Sequence, residues 1–306
     1  MWRVKEQIHC SENIQAIYSG KNISVAILDT GIFLHPDFSG RILAFKDFVS
    51  DKEIPYDDCG HGTHVAGCLA GDGFLSQGRY KGIAPSCSLI IGKVLNSRGE
   101  GNIDHMLAGI QWIKKIKEIF SIRILNISIG FEEKVSLSKI NSLIAALENL
   151  WNSGIIIVAA AGNKGPQSRS ISPLGMSKNI ITVGCHDLDY SKEGVTLCEN
   201  YSGRGPSVFS LKKPDLVAPG THIYSTSSGC KRMGNSFVNG YESKSGTSFA
   251  TPLVSGAAAL LLEQQPKLLP QEVKHRLCYS ATDLREPWNK QGWGMLNITK
   301  ALDKNL

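Results

Sequence analysis

Apolar positions along the chain follow two spacings. Short unbroken apolar runs occupy 23–28, 88–95, 122–129, 155–161 and 180–185. Runs of this length, bounded by glycine or polar residues, predict strands buried on both faces. Over 61–71, 103–118, 136–153, 247–265 and 270–279 the spacing and length instead predict helices. Strands alternating with helices predict an α/β fold: a mainly parallel central sheet with helices on both faces and right-handed crossovers. Between 186 and 245 the pattern breaks into short strands and glycine-rich loops, including Ser227-Ser228-Gly229-Cys230 and Met233-Gly234-Asn235. Loops this long commonly shape a neighbouring site. The chain has no internal repeat, linker or low-complexity stretch, so one domain is expected over 1–306, with 1–15 as an N-terminal extension.

Three element ends carry side chains with chemistry. Ser248, in Ser245-Gly246-Thr247-Ser248-Phe249-Ala250-Thr251-Pro252, stands where a glycine turn becomes an apolar helix. Unpaired N–H groups and a partial positive charge at such a start favour an oxyanion forming beside the hydroxyl. Taken alone, Ser248 is equally an ordinary N-cap. His61, in Gly60-His61-Gly62-Thr63-His64, falls in the first turn of another small-residue helix, where a lone histidine has no necessary role. Asp29 closes the apolar run 23–28 and precedes Thr30-Gly31, at the strand end where open α/β sheets place their ligands; an aspartate in such a turn is also commonplace. A nucleophilic serine needs a base, and the base needs an orienting carboxylate.

Together these segments resemble the subtilisin-like serine proteases, in which the members follow the order Asp29, His61, Ser248 along the chain. Three further segments agree: Ala159-Ala160-Ala161-Gly162-Asn163, Asn126-Ile127-Ser128-Ile129-Gly130 and Lys213-Pro214-Asp215-Leu216-Val217-Ala218-Pro219-Gly220. The resemblance covers about 15–302. Within the family, Phe45-Lys46-Asp47-Phe48-Val49, Pro55-Tyr56-Asp57-Asp58 and Tyr201-Ser202-Gly203-Arg204-Gly205-Pro206 resemble the intracellular type.

The resemblance implies a three-layer subtilisin-like fold and a serine endopeptidase working through an acyl-enzyme. Ser248 would be the nucleophile, His61 the base, Asp29 its orienting acid, and the Asn163 amide an oxyanion donor. Substrate backbone would lie along Gly99-Glu100-Gly101 and be faced by Ser128-Ile129-Gly130. The pocket for P1, the residue whose carbonyl is attacked, would be walled by 128–130 and by Ala160, Ala161 and Gly162, with Lys164 at its rim and Ser172 near its floor. Small and apolar walls favour a large apolar P1. Phe249 stands where many family members carry methionine.

Two rival mechanisms fail on the residues. Leu28-Asp29-Thr30-Gly31 is also an aspartic-protease signature, but that chemistry needs a second carboxylate motif, and the chain has none. The nucleophile elbow of an α/β-hydrolase needs Gly-x-Ser-x-Gly, and 126–130 lacks the first glycine. A catalytically dead scaffold is the rival from another class; the complete set of Asp29, His61, Ser248 and Asn163 argues against it.

Composition narrows the partners. A formal charge of +6 is modest and dispersed, and Lys114-Lys115-Ile116-Lys117 reads as the solvated face of a helix, so no nucleic-acid partner is expected. No window is long and apolar enough for a membrane span, and the first ten residues have no apolar core of a secretory signal. Eight irregularly spaced cysteines then read as reduced thiols, and a cytoplasmic protein is expected. Cys59, two residues before His61, is expected to confer sensitivity to bulky thiol reagents. Only 28 residues precede Asp29, too few for the large prodomain of secreted relatives, so folding without one is expected. His61-x-x-His64 has the wrong spacing for a zincin. The resemblance brings calcium into view as an optional cofactor, because Asp37 matches a position that often supplies a ligand. The loop 71–78, with Asp72, lacks the asparagine-rich pattern of such a site. No metal ligand is assigned, no cofactor is expected to be required, and the expected partner is a peptide or protein substrate.

Overall fold

The computed structural model describes residues 1–130, 136–188, 190, 193–206, 211–234 and 236–304. Seven parallel strands form the central sheet: β1 (Ser24–Asp29), β2 (Ile42–Asp47), β3 (Ser88–Lys93), β4 (Ile122–Ile127), β5 (Ile156–Ala160), β6 (Ile181–Cys185) and β7 (Leu216–Ala218). Their spatial order is β2-β3-β1-β4-β5-β6-β7. The chain therefore reverses its direction of build-up after β3, and β1 lies between β3 and β4. Ligands in such sheets bind beyond the carboxyl ends near this reversal.

Seven helices matter to the site or its support: α1 (Trp2–Gln7), α2 (Glu12–Ile17), α3 (His61–Ala70), α4 (Ile103–Ile116), α5 (Leu137–Asn152), α6 (Thr247–Gln264) and α7 (Pro270–Tyr279). The pair α3/α6 and the pair α4/α5 cover the two faces of the sheet, completing three layers. In α4, Ile103, Met106, Ile110, Ile113 and Ile116 form the buried stripe, and Asn102 caps the first turn by accepting the N–H of His105. Helix α6 differs, being buried from Phe249 to Leu262 on every side. Each leucine so buried stabilises by about 1.5–3 kcal/mol.

All five predicted strands and five predicted helices are present. Strands β2 and β7 are not individually placed by the sequence pattern. The first is an edge strand with three half-buried and two exposed residues, so its apolar signal is weak. The second is three residues long and lies within 186–245, where short strands are expected but not individually placed. The first residues form a docked element: Val4 and Ile8 are buried, and Ile8 O accepts the N–H of Ile298. Between 186 and 245 the structure holds two antiparallel pairs, β8 (Ile223–Thr226) with β11 (Tyr241–Lys244) and β9 (Lys231–Met233) with β10 (Ser236–Val238). Asn235, within the glycine-rich stretch read at 233–235, lies outside the described residues.

Candidate active site

Strand β1 delivers Asp29 to the carboxyl edge of the sheet with its side chain fully buried. Helix α3 starts at His61, directly after Gly60 in the left-handed region at φ +85°. A Cβ on Gly62 would lie 2.3 Å from the Gly31 carbonyl, so glycine is what lets the first turn of α3 press onto the end of β1. His61 Nδ1 then lies 2.7 Å from Asp29 Oδ1, which also accepts the Thr30 N–H at 2.7 Å. An Nδ1–H committed to a carboxylate leaves Nε2 as the basic nitrogen. Burial pulls the His61 pKa down, while the charge of Asp29 and its hydrogen bond push it up. The carboxylate prevails, so the imidazole titrates above its ordinary value.

A second aspartate builds this corner. Asp57 Oδ1 accepts the N–H of Cys59 and Gly60 and the hydroxyl of Thr30, at 3.2, 2.8 and 2.8 Å. Its Oδ2 accepts the N–H and hydroxyl of Thr63 at 2.8 and 2.6 Å. Burial would raise the Asp57 carboxyl, but the bonds from Thr63, Gly60 and Thr30 outweigh it and hold the pKa below the usual range. One carboxylate thus caps α3 and, through Thr30, braces the residue after Asp29. Sequence reasoning passed over Asp57, whose only signal was a capping residue type shortly before a helix start.

His64, one turn beyond His61, is a structural tie. Its Nε2–H donates to Ile223 O at 3.0 Å and Glu242 O at 3.2 Å, linking α3 to β8 and β11. Burial, with the charges of Lys244 and His61, pulls its pKa down to about 3, so the ring is neutral.

Ser248 is the second residue of α6 and is half-buried. The ring of Phe249 lies 5.3 Å from the His61 ring and 4.5 Å from that of His64, which brings the start of α6 against the imidazole. Among the described residues no hydrogen bond joins Ser248 to His61; contacts of this kind are often long until substrate tightens them. Asn163 lies exposed beside the same turn, and its Oδ1 accepts the N–H and hydroxyl of Thr247 at 3.1 and 3.0 Å. Fixing the oxygen leaves the amide NH2 as the end free to donate.

Strands β4 and β5 are parallel neighbours with Ile127 opposite Ala159, so Ser128–Gly130 and Ala160–Gly162 leave the sheet side by side. Ser128, Ile129, Ala160 and Ala161 are buried, whereas Gly130 is exposed. Ser172 closes on the second segment, its hydroxyl on Ala160 O at 2.7 Å and its N–H on Ala161 O at 2.8 Å. Lys164 is exposed, one residue beyond Asn163. On the opposite side, Gly99, at φ +75°, and Glu100 belong to a turn closed by Asn96 N–H on Glu100 O at 2.8 Å. A Cβ on Gly101 would strike the Leu95 side chain at 2.4 Å, and one on Gly99 would lie 3.7 Å from Cys59 Sγ. The Gly99 turn therefore borders the turn that leads into His61. Burial raises the Cys59 thiol pKa, so little of it is thiolate.

The Asp37 region does not fit calcium. Gly73 and Leu75 turn their N–H groups onto the Asp37 carboxylate, and the Tyr241 hydroxyl donates to it at 2.8 Å. The Arg41 guanidinium donates to Ala70 O, Cys87 O and Asp37 O and lies 3.7 Å from the Asp72 carboxylate. Calcium needs six to eight oxygens facing it; here donors and a fixed cation face those oxygens.

Comparison with known proteins agrees with this geometry. The model of the subtilase family matches residues 20–294. Serine protease AprX of Bacillus subtilis (strain 168) is 40% identical over 274 residues, covering 85% of this chain and 61% of AprX. The chain thus spans less than two thirds of the length of AprX. Subtilisin DY of Bacillus licheniformis is 34% identical over 288 residues, covering 93% of this chain and 92% of that protein. Among solved structures, sphericase superposes with a TM-score of 0.76 at 29% identity, covering 93% of this chain and 96% of its own. A cold-adapted subtilisin-like serine proteinase gives 0.70 at 27%, covering 92% and 90%.

Proposed function

Because the chain belongs to the subtilase family and is a serine protease, we propose that Ser248, His61 and Asp29 carry its hydrolysis of peptide bonds. Ser248 Oγ attacks the scissile carbonyl. His61 Nε2 takes the hydroxyl proton and returns it to the leaving amine, and Asp29 holds the tautomer and stabilises the imidazolium. The Asn163 NH2 and the Ser248 N–H bind the oxyanion at the positive end of α6. Water then cleaves the acyl-enzyme by the same proton route. The observation that carries this reading is the 2.7 Å contact between His61 Nδ1 and Asp29 Oδ1 at the sheet edge, beside the start of α6.

The substrate is a peptide or protein. It lies as an added strand on 99–101 and is faced by 128–130. The P1 side chain enters between 128–130 and 160–162, whose small and apolar lining suits Leu, Met, Phe or Tyr. Lys164 at the rim disfavours Lys and Arg. Eight free cysteines, seven of them buried, suit a reducing compartment; among the described residues no helix is long and apolar enough to cross a membrane.

Kinetics with a tetrapeptide amide test the reading. Ser248→Ala should lower kcat on the order of 10⁶-fold, the loss a subtilisin shows when its nucleophile is removed. Near-normal turnover in that variant would sink the assignment. A P1 library should show large apolar side chains ahead of Lys and Arg; a strong basic preference would refute the pocket reading.

A further inference from the structure

Lys93 ends β3, and its side chain is 1% exposed. A buried ammonium persists only where acceptors replace water. Lys93 Nζ has three: Thr30 O at 2.7 Å, Leu95 O at 2.8 Å and Asp58 Oδ1 at 2.7 Å. Each acceptor belongs to a different part of the site. Thr30 follows Asp29, Asp58 lies in the turn that leads into His61, and Leu95 opens the segment that runs to Gly101.

The backbone around the ammonium draws the same parts together. Asp29 O accepts the N–H of Val94 at 2.9 Å and of Leu95 at 3.2 Å. A Cβ on Gly31 would lie 2.1 Å from Tyr56 O and 3.4 Å from Lys93 Cδ, so the Asp29–Gly31 turn rests directly on the lysine stem and the 56–58 turn. A buried charge is weak support for stability, since an apolar side chain of the same volume often serves as well. What the ammonium supplies is a fixed distance between three acceptors on three segments.

We propose that Lys93 is a positioning residue whose ammonium holds the 95–101 substrate edge in register with the Asp29–His61 pair. A peptide laid along that edge then presents its scissile carbonyl to Ser248. The inference rests on the triad and edge assignments made above. It has a consequence that a merely structural lysine lacks: only substrates long enough to use the edge should feel its loss.

The test compares a tetrapeptide p-nitroanilide with a single-residue ester of the same P1, in the intact chain, with active sites titrated by a fluorophosphonate. Lys93→Met should lower kcat/KM on the tetrapeptide by about 10²-fold, the scale of a small misplacement of reacting groups. Loss on the ester should be only a few-fold. Asp58→Ala removes one of the three acceptors, on a side chain that is 43% exposed, and should show the same selective loss at smaller size. If Lys93→Met does not fold, Asp58→Ala decides alone. Equal losses on both substrates per titrated site, or none on either, overturn the proposal. Failure of the unmodified protein to react at Ser248 would instead overturn the triad assignment.

Discussion

The two halves of the site are built in different ways. On one side, Asp29 is fully buried, Asp57 accepts five hydrogen bonds from Thr30, Cys59, Gly60 and Thr63, and His61 Nδ1 lies 2.7 Å from Asp29 Oδ1. On the other, Ser248 is half-buried, Asn163 and Gly130 are exposed, and among the described residues Asn163 is held through its side-chain oxygen. On the roles proposed, folding alone brings the acid and base together, whereas the nucleophile and oxyanion half presents donors for a substrate to fill. Preorganised dipoles in such a half need no rearrangement when charge develops on the carbonyl. The two histidines of α3 show how sharply surroundings divide one residue type. His61, beside a carboxylate, titrates above its ordinary value, while His64, fully buried and near the charges of Lys244 and His61, is pulled down to about 3.

Perturbing the acid–base half should give the larger effect. Asp29→Asn removes the carboxylate that raises the His61 pKa and leaves burial, which lowers it. In the unmodified protein kcat/KM should fall as pH drops through an inflection above the ordinary imidazole value of about 6.5. In Asp29→Asn the inflection should move down, with kcat reduced by about 10⁴-fold at neutral pH through loss of tautomer control. A pH profile whose inflection stays in place would show that Asp29 does not govern His61.

Perturbing the other half should cost less and leave that inflection alone. Asn163→Ala should lower kcat by about 10²–10³-fold, the loss seen in subtilisin when its oxyanion asparagine is removed, with KM little changed. A rise in KM at constant kcat would mark Asn163 as a ground-state contact.

Chelation bears on neither half. With Arg41 and backbone N–H groups facing the Asp37 and Asp72 oxygens, EDTA should leave the thermal midpoint unchanged. A fall of several degrees that calcium restores would contradict that account of the loop.

The smallest effect is expected at the rim. Lys164→Glu should raise kcat/KM for P1 Arg by up to about fivefold at low salt and less at high salt, the range of a solvent-exposed pair. No change in the Arg-to-Leu ratio would place Lys164 outside the pocket's field.

What was legible in the sequence follows the same division. The strands 23–28 and 155–161 and the helix start at 247 could be read because apolar runs end abruptly in glycine-flanked polar residues, and Asp29, Asn163 and Ser248 stand at those ends. Edge strand β2 was hidden by its half-buried mixture of residues, and β7 by its three-residue length between prolines. The braces were also hidden. Asp57, His64 and Lys93 act on partners distant in sequence or through backbone atoms, and spacing records neither. Calcium could be weighed from Asp37 and the 71–78 loop, but the direction of the Gly73 and Leu75 N–H groups is fixed only by the folded turn.

The central claim, that Ser248 is activated by His61 on a buried Asp29, is tested most directly by reacting the intact protein with a fluorophosphonate and mapping the adduct by mass spectrometry. The account predicts a single adduct on Ser248, forming more slowly as pH falls through the His61 inflection and absent in Ser248→Ala. An adduct on another residue, or undiminished peptide hydrolysis by the fully labelled protein, would contradict it.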